Sequence, residues 1–226
     1  MGKVENVFED AWNRVVKMYK QDWTNNLQEN GKNGIKYFPD NFYSEADLKS
    51  QLTCLLRTGY ENEKFHGQKI YVKNELTFNP ESFPERPELS GRMKKLQSLV
   101  NDQANKTRFI PDIAIESDST ADGGAFLVFA ELKFWTDFML KYRNDVPKYF
   151  RGALKNLEVQ CKTLQLALER GVCKSGYVCV ISDGYFSHDG WKKEFDDMSN
   201  KYNRIRFLVG GMPVKEKLKF LEEQEV

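Results

Sequence analysis

The sequence predicts an α/β domain in which a mixed central sheet is flanked by helices. Helical and strand-like segments alternate along the chain, and 40% of the 226 residues are hydrophobic, which is enough for a substantial core. No apolar run approaches the ~18 residues that span a bilayer, so we expect no membrane association. The net charge is only +1, so any nucleic-acid partner has to be held by a local basic face.

The first element is an amphipathic helix. Apolar side chains recur at helical spacing over residues 4–28, and glycines at residues 31–34 end the pattern. We interpret residues 1–40 as an N-terminal helical extension and residues 41–226 as the domain proper. A second interpretation is an assembly protein that binds a partner through the aromatic side chains of this helix, Trp12, Tyr19 and Trp23. Acidic residues interrupt the first turns, which is atypical of a secretory signal, and we expect a cytoplasmic protein.

A second helix is predicted from Ser44 to about Thr58. Ser44 and Asp47 have the spacing of a helix-capping box, which places the start of the helix. Gly59 stands where a helix commonly ends.

Strands dominate the centre of the chain. Residues 69–78 predict a first strand, and the proline-rich residues that follow predict an insertion over about 79–107. Residues 108–117 and 125–135 predict two more strands, joined by a turn that contains two adjacent glycines.

Helices and strands alternate in the last third of the chain. The predicted order is a long helix at 148–170, a buried strand at 177–183, a polar helix at 188–201, a strand at 204–210 and a charged helix at 214–224. This order, after three consecutive strands, is typical of a mixed sheet with helices on its faces.

Two carboxylates and a lysine stand out among the predicted strands. Glu131 and Lys133 project from the same face of one strand, because side chains alternate between faces. Asp112 lies on the preceding strand, which the glycine turn brings alongside. Two acids buried together are destabilising unless positive charge lies between them, and a hard divalent cation with oxygen ligands meets that need. The residues therefore predict a metal site with Lys133 near the water that the metal binds.

This arrangement resembles the PD-(D/E)XK nuclease superfamily, whose restriction-endonuclease-like fold has the core order α-β-β-β-α-β. The predicted elements follow that order over residues 44–183, after the N-terminal helical extension. The residues that match the family motif are Pro111-Asp112, then eighteen residues, then Glu131-Leu132-Lys133.

The resemblance implies a nuclease that hydrolyses phosphodiester bonds with Mg²⁺ or Mn²⁺ as its cofactor. It implies that Asp112 and Glu131 bind the metal, together with the main-chain carbonyl of Leu132. Lys133 would position or help to deprotonate the attacking water. The family favours DNA over RNA as the substrate. The alternative is a catalytically silent module of the same fold that binds nucleic acid or a protein partner.

The same resemblance adds two catalytic candidates. Many members carry a glutamate on the first core helix, and Glu45 shares a helical stripe with Leu48, whereas Asp47 points away. Glu45 could equally serve the helix dipole in the first turn. One branch of the superfamily carries Gln followed four residues later by Tyr. Gln160 is present here, with Leu164 at the tyrosine position.

Local charge suggests where nucleic acid binds. Residues 141–174 hold eight Lys or Arg against three acids, and residues 91–108 hold five against one. The first candidates for contact are Arg143, Lys148 and Arg151, although lysines on such helices also serve solubility. We find no recognisable DNA-reading module, so a homodimer or a partner protein is a candidate source of target choice.

Overall fold

The computed structural model describes residues 2–30, 42, 44–63, 65, 68–74, 111–118, 125–135, 146–183 and 191–212, with backbone alone at 26–30, 146–150 and 191. Within these ranges the chain forms four helices and five strands. The predicted insertion at 79–107 and the predicted helix at 214–224 lie outside the described residues.

The described elements follow one another in nearly the predicted order. They are α1 (Lys3–Asn30), α2 (Glu45–Asn62), β1 (Ile70–Asn74), β2 (Ile113–Ser117), β3 (Phe126–Trp135), α3 (Val146–Glu169), β4 (Cys173–Ser182), α4 (Trp191–Lys201) and β5 (Ile205–Gly210).

The five strands form one mixed sheet in the order β1-β2-β3-β4-β5. β1, β2 and β3 pair antiparallel, whereas β3, β4 and β5 pair parallel. The parallel strands are joined through α3 and α4, as parallel connections require. The predicted α/β class with a mixed sheet flanked by helices is confirmed.

Each face of the sheet is covered by a pair of helices. On β3, Val128, Ala130 and Leu132 belong to the core shared with α1 and α2, while Phe129 and Trp135 belong to the core shared with α3 and α4. This alternation follows from the period of two in a strand. Odd-numbered residues in the second half of β3 therefore face α3, and Glu131 and Lys133 are among them.

Helix α1 is part of the main core. Its stripe of apolar side chains is almost completely buried against α2 and the sheet, and it contains Phe8, Trp12, Val15, Tyr19 and Trp23. The interpretation in which its aromatic side chains bind a partner protein is wrong, because these side chains are already buried inside the chain.

Helix α2 begins as predicted and ends later. The Ser44 hydroxyl accepts a hydrogen bond from the Asp47 amide at 3.3 Å, which confirms the cap. The predicted stop at Gly59 is wrong, since the helix continues to Asn62. A Cβ at residue 59 would lie 2.9 Å from Cγ1 of Val7, so this glycine permits close approach of α1 instead of ending α2.

Polar contacts also tie α1 to the far end of the chain. The Ser175 hydroxyl donates to Glu5 at 2.7 Å, and Arg206 forms an ion pair with Glu9 at 2.6 Å. Among the described residues, we find no helix that is both long and apolar enough to cross a membrane.

Candidate active site

The pairing of β2 with β3 brings Asp112 and Glu131 to the same level of the sheet. Ile113 pairs with Ala130 in the antiparallel register, and Glu131 is the next residue on β3. Asp112 stands directly before β2, which begins at Ile113, and so not on the strand as predicted. The Leu132 amide donates a hydrogen bond of 2.8 Å to Oδ2 of Asp112. The register places the two motif carboxylates at one level, and the main-chain amide of Leu132 holds the Asp112 side chain at the start of β2.

Glu131 is a buried carboxylate whose oxygens lack hydrogen bonds. Its exposed fraction is 1%, and neither side-chain oxygen has a hydrogen-bond partner among the described residues. Burial raises the pKa of Glu131 well above its usual value; Lys133 acts against this shift, and Asp112 adds to it. Such a carboxylate favours protonation or a close positive charge.

The ammonium group of Lys133 lies among four oxygen atoms. Its Nζ donates to the Leu132 carbonyl at 2.7 Å and lies 3.7 Å from Oε2 of Glu131. It is 4.0 Å from Oδ2 of Asp112 and 4.0 Å from Oε2 of Glu45. Positive charge in this structure is therefore located where the candidate ligands converge.

A second lysine, Lys49 on α2, belongs to the site and was missed by the sequence analysis. Its Nζ donates to Oδ1 of Asp112 at 3.2 Å, and both side chains are only 13% exposed. One signal was available, because Lys49 follows Glu45 by four residues and so lies on the same side of the helix. Its partner is 63 positions further along the chain, and no local pattern indicates that contact.

Glu45 reaches the edge of the site. It is the first residue of α2, and its side chain is 43% exposed, in contrast to Leu48 in the next turn, which is fully buried. Its distance of 4.0 Å from Lys133 brings it near the motif residues, but it does not point fully inward as the helical stripe predicted.

Gln160 lies on α3, the helix that covers the Glu131 face of β3. Its Oε1 atom is buried and has no hydrogen-bond partner within the described part of the chain. The next residue, Cys161, is close enough to the site for the charges of Glu131 and Lys133 to affect the pKa of its thiol. Burial chiefly raises the pKa of the Cys161 thiol to about 12, and Glu131 adds to the increase. Within the described residues, the Oε1 atom of Gln160 therefore accepts no hydrogen bond from Lys133.

The structure describes the side chain of only one of the three predicted nucleic-acid contacts, Arg151. Arg143 lies outside the described residues, and only the backbone of Lys148 is described, within α3. Arg151 lines a cavity of about 360 Å³ between α3 and α4 that also contains Glu158, Glu194 and Asp197 in its wall. The surroundings of Arg151 are thus of mixed charge, unlike a basic groove.

The motif residues fit a metal ion that takes only some of its ligands from the protein and the rest from water or substrate. No group of three or more His, Cys, Asp or Glu side chains that could hold a metal occurs in the described ranges. Asp112, Glu131 and the Leu132 carbonyl offer two carboxylates and one main-chain oxygen. Mg²⁺ commonly binds one or two carboxylates and completes its shell with water and substrate phosphate. The strongest sign of such a fit is that neither oxygen of the buried Glu131 has a hydrogen bond among the described residues.

Asp183, the last residue of the strand predicted at 177–183, directly follows β4, and its contacts are structural. It is fully buried, it accepts a hydrogen bond from the Tyr19 hydroxyl, and its Oδ1 accepts one from the Met212 amide at 2.9 Å. This carboxylate anchors α1 and the segment after β5 to the end of β4.

Comparison of the chain with models of protein families, with curated proteins and with solved structures gave no match. The function of the site has to be argued from its own geometry.

Proposed function

We propose that this protein is a divalent-metal-dependent nuclease with a restriction-endonuclease-like fold. One observation carries the proposal: Glu131 is buried, neither carboxylate oxygen has a hydrogen bond among the described residues, and the nearest positive charge is Lys133 at 3.7 Å. A buried acid without hydrogen bonds is costly, and a bound cation removes that cost.

The order of the elements supports the proposed fold. Helix α2 is followed by the antiparallel meander β1-β2-β3, then by α3 and by β4, which pairs parallel with β3. This sequence of elements equals the α-β-β-β-α-β core of the family that the motif resembles. The motif residues lie at the end of β2 and within β3, where neighbouring strands position them jointly.

In the proposed mechanism the chain holds the ligands and orients the nucleophile. Asp112 and Glu131 would bind Mg²⁺ or Mn²⁺ with the Leu132 carbonyl. When bound, the metal supplies Lewis-acid stabilisation of charge on the scissile phosphate and lowers the pKa of a coordinated water. Lys133, displaced from the Leu132 carbonyl, would hold the attacking water by hydrogen bonding and favour loss of its proton. Glu45 would contact the outer edge of the same group of ligands.

We favour DNA over RNA as the substrate, by the family resemblance alone. Contacts with the substrate would come from Lys148 and Arg143 and from Arg151 at the start of α3. A homodimer or a partner protein would supply target choice, and a cytoplasmic location is part of the same proposal.

One contact favours the alternative of a catalytically silent module. The Lys133 ammonium donates a hydrogen bond to the Leu132 carbonyl and lies within 4.0 Å of all three carboxylates, so the site has positive charge without a metal. A module of this kind would bind nucleic acid or protein and would not respond to divalent cations.

A cleavage assay with matched variants tests the proposal. Supercoiled plasmid, linear duplex, single-stranded DNA and RNA are incubated with Mg²⁺, Mn²⁺, Ca²⁺ or EDTA. Wild type is compared with Asp112→Asn and Lys133→Met. The matched control is Lys73→Met, because Lys73 forms a 2.6 Å ion pair with the buried Glu116 elsewhere in the same sheet.

We expect cleavage with Mg²⁺ or Mn²⁺ that is lost in both motif variants and retained in the control. Cleavage that survives in the motif variants would place the chemistry elsewhere. Absence of cleavage by any wild-type sample, together with nucleic-acid binding that is indifferent to metal, would establish the silent module.

A further inference from the structure

We propose that Lys49 is a positioning residue for the metal ligand Asp112, and that it leaves Lys133 available for the attacking water. This inference rests on the proposed function and deepens it. It starts from a contact that the family motif does not contain, between α2 and the residue before β2.

Asp112 is held from two directions. The Lys49 ammonium donates to Oδ1 at 3.2 Å, and the Leu132 amide donates to Oδ2 at 2.8 Å. One donor on each oxygen fixes the plane of the carboxylate, because rotation about the side chain would break both contacts. Each oxygen keeps a lone pair for a further positive group.

The helix that carries Lys49 is held against β1 by Thr53. The Thr53 hydroxyl lies 2.7 Å from the Lys49 carbonyl and 2.6 Å from Oδ1 of Asn74. Asn74 pairs with Ile113, the residue after Asp112. Helix α2 is therefore joined to the start of β2 at two adjacent levels, through Lys49 directly and through Thr53 by way of β1.

The two lysines divide the carboxylates between them. Lys49 is 3.2 Å from Asp112, whereas Lys133 is 4.0 Å from Asp112 and 3.7 Å from Glu131. Because Lys49 already neutralises Asp112, the Lys133 ammonium can leave that carboxylate without exposing an unbalanced charge in a largely buried site.

This arrangement makes two opposite predictions for Lys49→Met. Loss of a positive charge beside a ligand should tighten Mn²⁺ binding, by about tenfold, since like charges at this distance repel strongly in a poorly solvated site. Loss of the contact that orients Asp112 should slow single-turnover cleavage by about 100-fold. Loss of a residue that only stabilises the fold would not combine tighter Mn²⁺ binding with slower cleavage.

The experiment measures both quantities on the full chain. Mn²⁺ affinity is determined by electron paramagnetic resonance of free Mn²⁺, and cleavage by single-turnover kinetics at saturating Mn²⁺. The variants are Lys49→Met, Lys49→Arg and the control Lys73→Met, each checked by thermal unfolding. Lys49→Arg keeps the charge, so we expect near wild-type Mn²⁺ affinity and partial recovery of the rate.

Tighter Mn²⁺ binding combined with slower cleavage in Lys49→Met, and recovery in Lys49→Arg, supports the proposal. Unchanged affinity and rate in Lys49→Met would overturn it while leaving the nuclease proposal intact. Wild type that neither binds Mn²⁺ nor cleaves would overturn the proposed function and the role of Lys49 together.

Discussion

Three described carboxylates at the central sheet are almost fully excluded from water, namely Glu116, Glu131 and Asp183, and the last two differ in how they are satisfied. Asp183, after β4, is fully buried and accepts hydrogen bonds from the Tyr19 hydroxyl and the Met212 amide. Glu131, within β3, is 1% exposed and accepts none among the described residues. The Trp23 indole also donates to the Tyr19 hydroxyl at 2.6 Å, which extends the network around Asp183.

The difference indicates what each acid does. A buried polar group with complete hydrogen bonds stabilises one arrangement of the chain. A buried group without them destabilises the fold, and binding of a ligand or a proton offsets that cost. Asp183 is therefore a structural acid and Glu131 a candidate ligand. Substitutions at the two positions should separate stability from function.

The largest expected effect is on cleavage by Glu131→Gln. The amide keeps the shape of the side chain but lacks the negative charge that would bind the metal in the proposed function, so single-turnover cleavage should fall about 1000-fold, equivalent to about 4 kcal/mol. Asp183→Asn, assayed well below its unfolding temperature, should cleave at close to the wild-type rate. Equal losses of cleavage rate in the two variants would show that Glu131 and Asp183 do not differ in function.

The next effect is on stability. Asp183→Ala leaves the Tyr19 hydroxyl and the Met212 amide without their buried acceptor, so the free energy of unfolding should fall by about 3 kcal/mol. Urea denaturation followed by circular dichroism measures this change. Tyr19→Phe, which removes one of these hydrogen bonds and keeps the ring, serves as the milder control. A variant as stable as wild type would mean that the network contributes nothing.

A third prediction concerns pH in the presence of EDTA. Because burial raises the pKa of Glu131, the folded state holds that proton more tightly than the unfolded state. The contribution of this proton to the free energy of unfolding is fully present below the ordinary glutamate pKa. It is lost as the pH rises through the raised pKa of the folded state.

Glu131→Gln has no such proton. Its free energy of unfolding relative to wild type should therefore increase as the pH rises, by at most about 1.4 kcal/mol per pH unit. Urea denaturation at a series of pH values from weakly acidic to weakly alkaline checks this. Parallel pH profiles for the two proteins would contradict it.

The smallest expected effect is at Gln160, another buried polar group without a partner for its Oε1 atom in the described structure. Gln160→Leu removes the unsatisfied atom, so the free energy of unfolding should increase by about 1 kcal/mol. If the residue serves the site, cleavage should also fall, by about tenfold. A stability gain with an unchanged rate would assign Gln160 to the core alone.

The sheet and the two motif carboxylates were predictable because their signals are local. The period of two along β3 placed Glu131 and Lys133 on one face, and the glycine turn predicted the return of the strand that carries Asp112. The capping box at Ser44 fixed the start of α2 for the same reason. Each of these inferences needs only neighbouring residues.

Features that depend on distant contacts were not predictable. The apolar stripe of α1 indicates a buried face but not which surface covers it, and an extension and a core helix have the same pattern. Gly59 allows Val7 to pack closely against α2. From local sequence alone, a glycine in this role looks the same as a glycine that ends a helix. Lys49 became part of the site only through its contact with Asp112.

The contacts of α1 with β4 and β5 also bear on synthesis. Ser175 and Arg206 follow their partners Glu5 and Glu9 by 170 and 197 positions. At about 5–20 residues per second, a ribosome needs about 10–35 s to make the 170 residues that separate Glu5 from Ser175. During that interval α2, the main neighbour of α1, is already made, whereas the part of α1 that packs against β4 and β5 is still uncovered. We therefore expect the nascent chain to need protection by chaperones until β4 and β5 emerge.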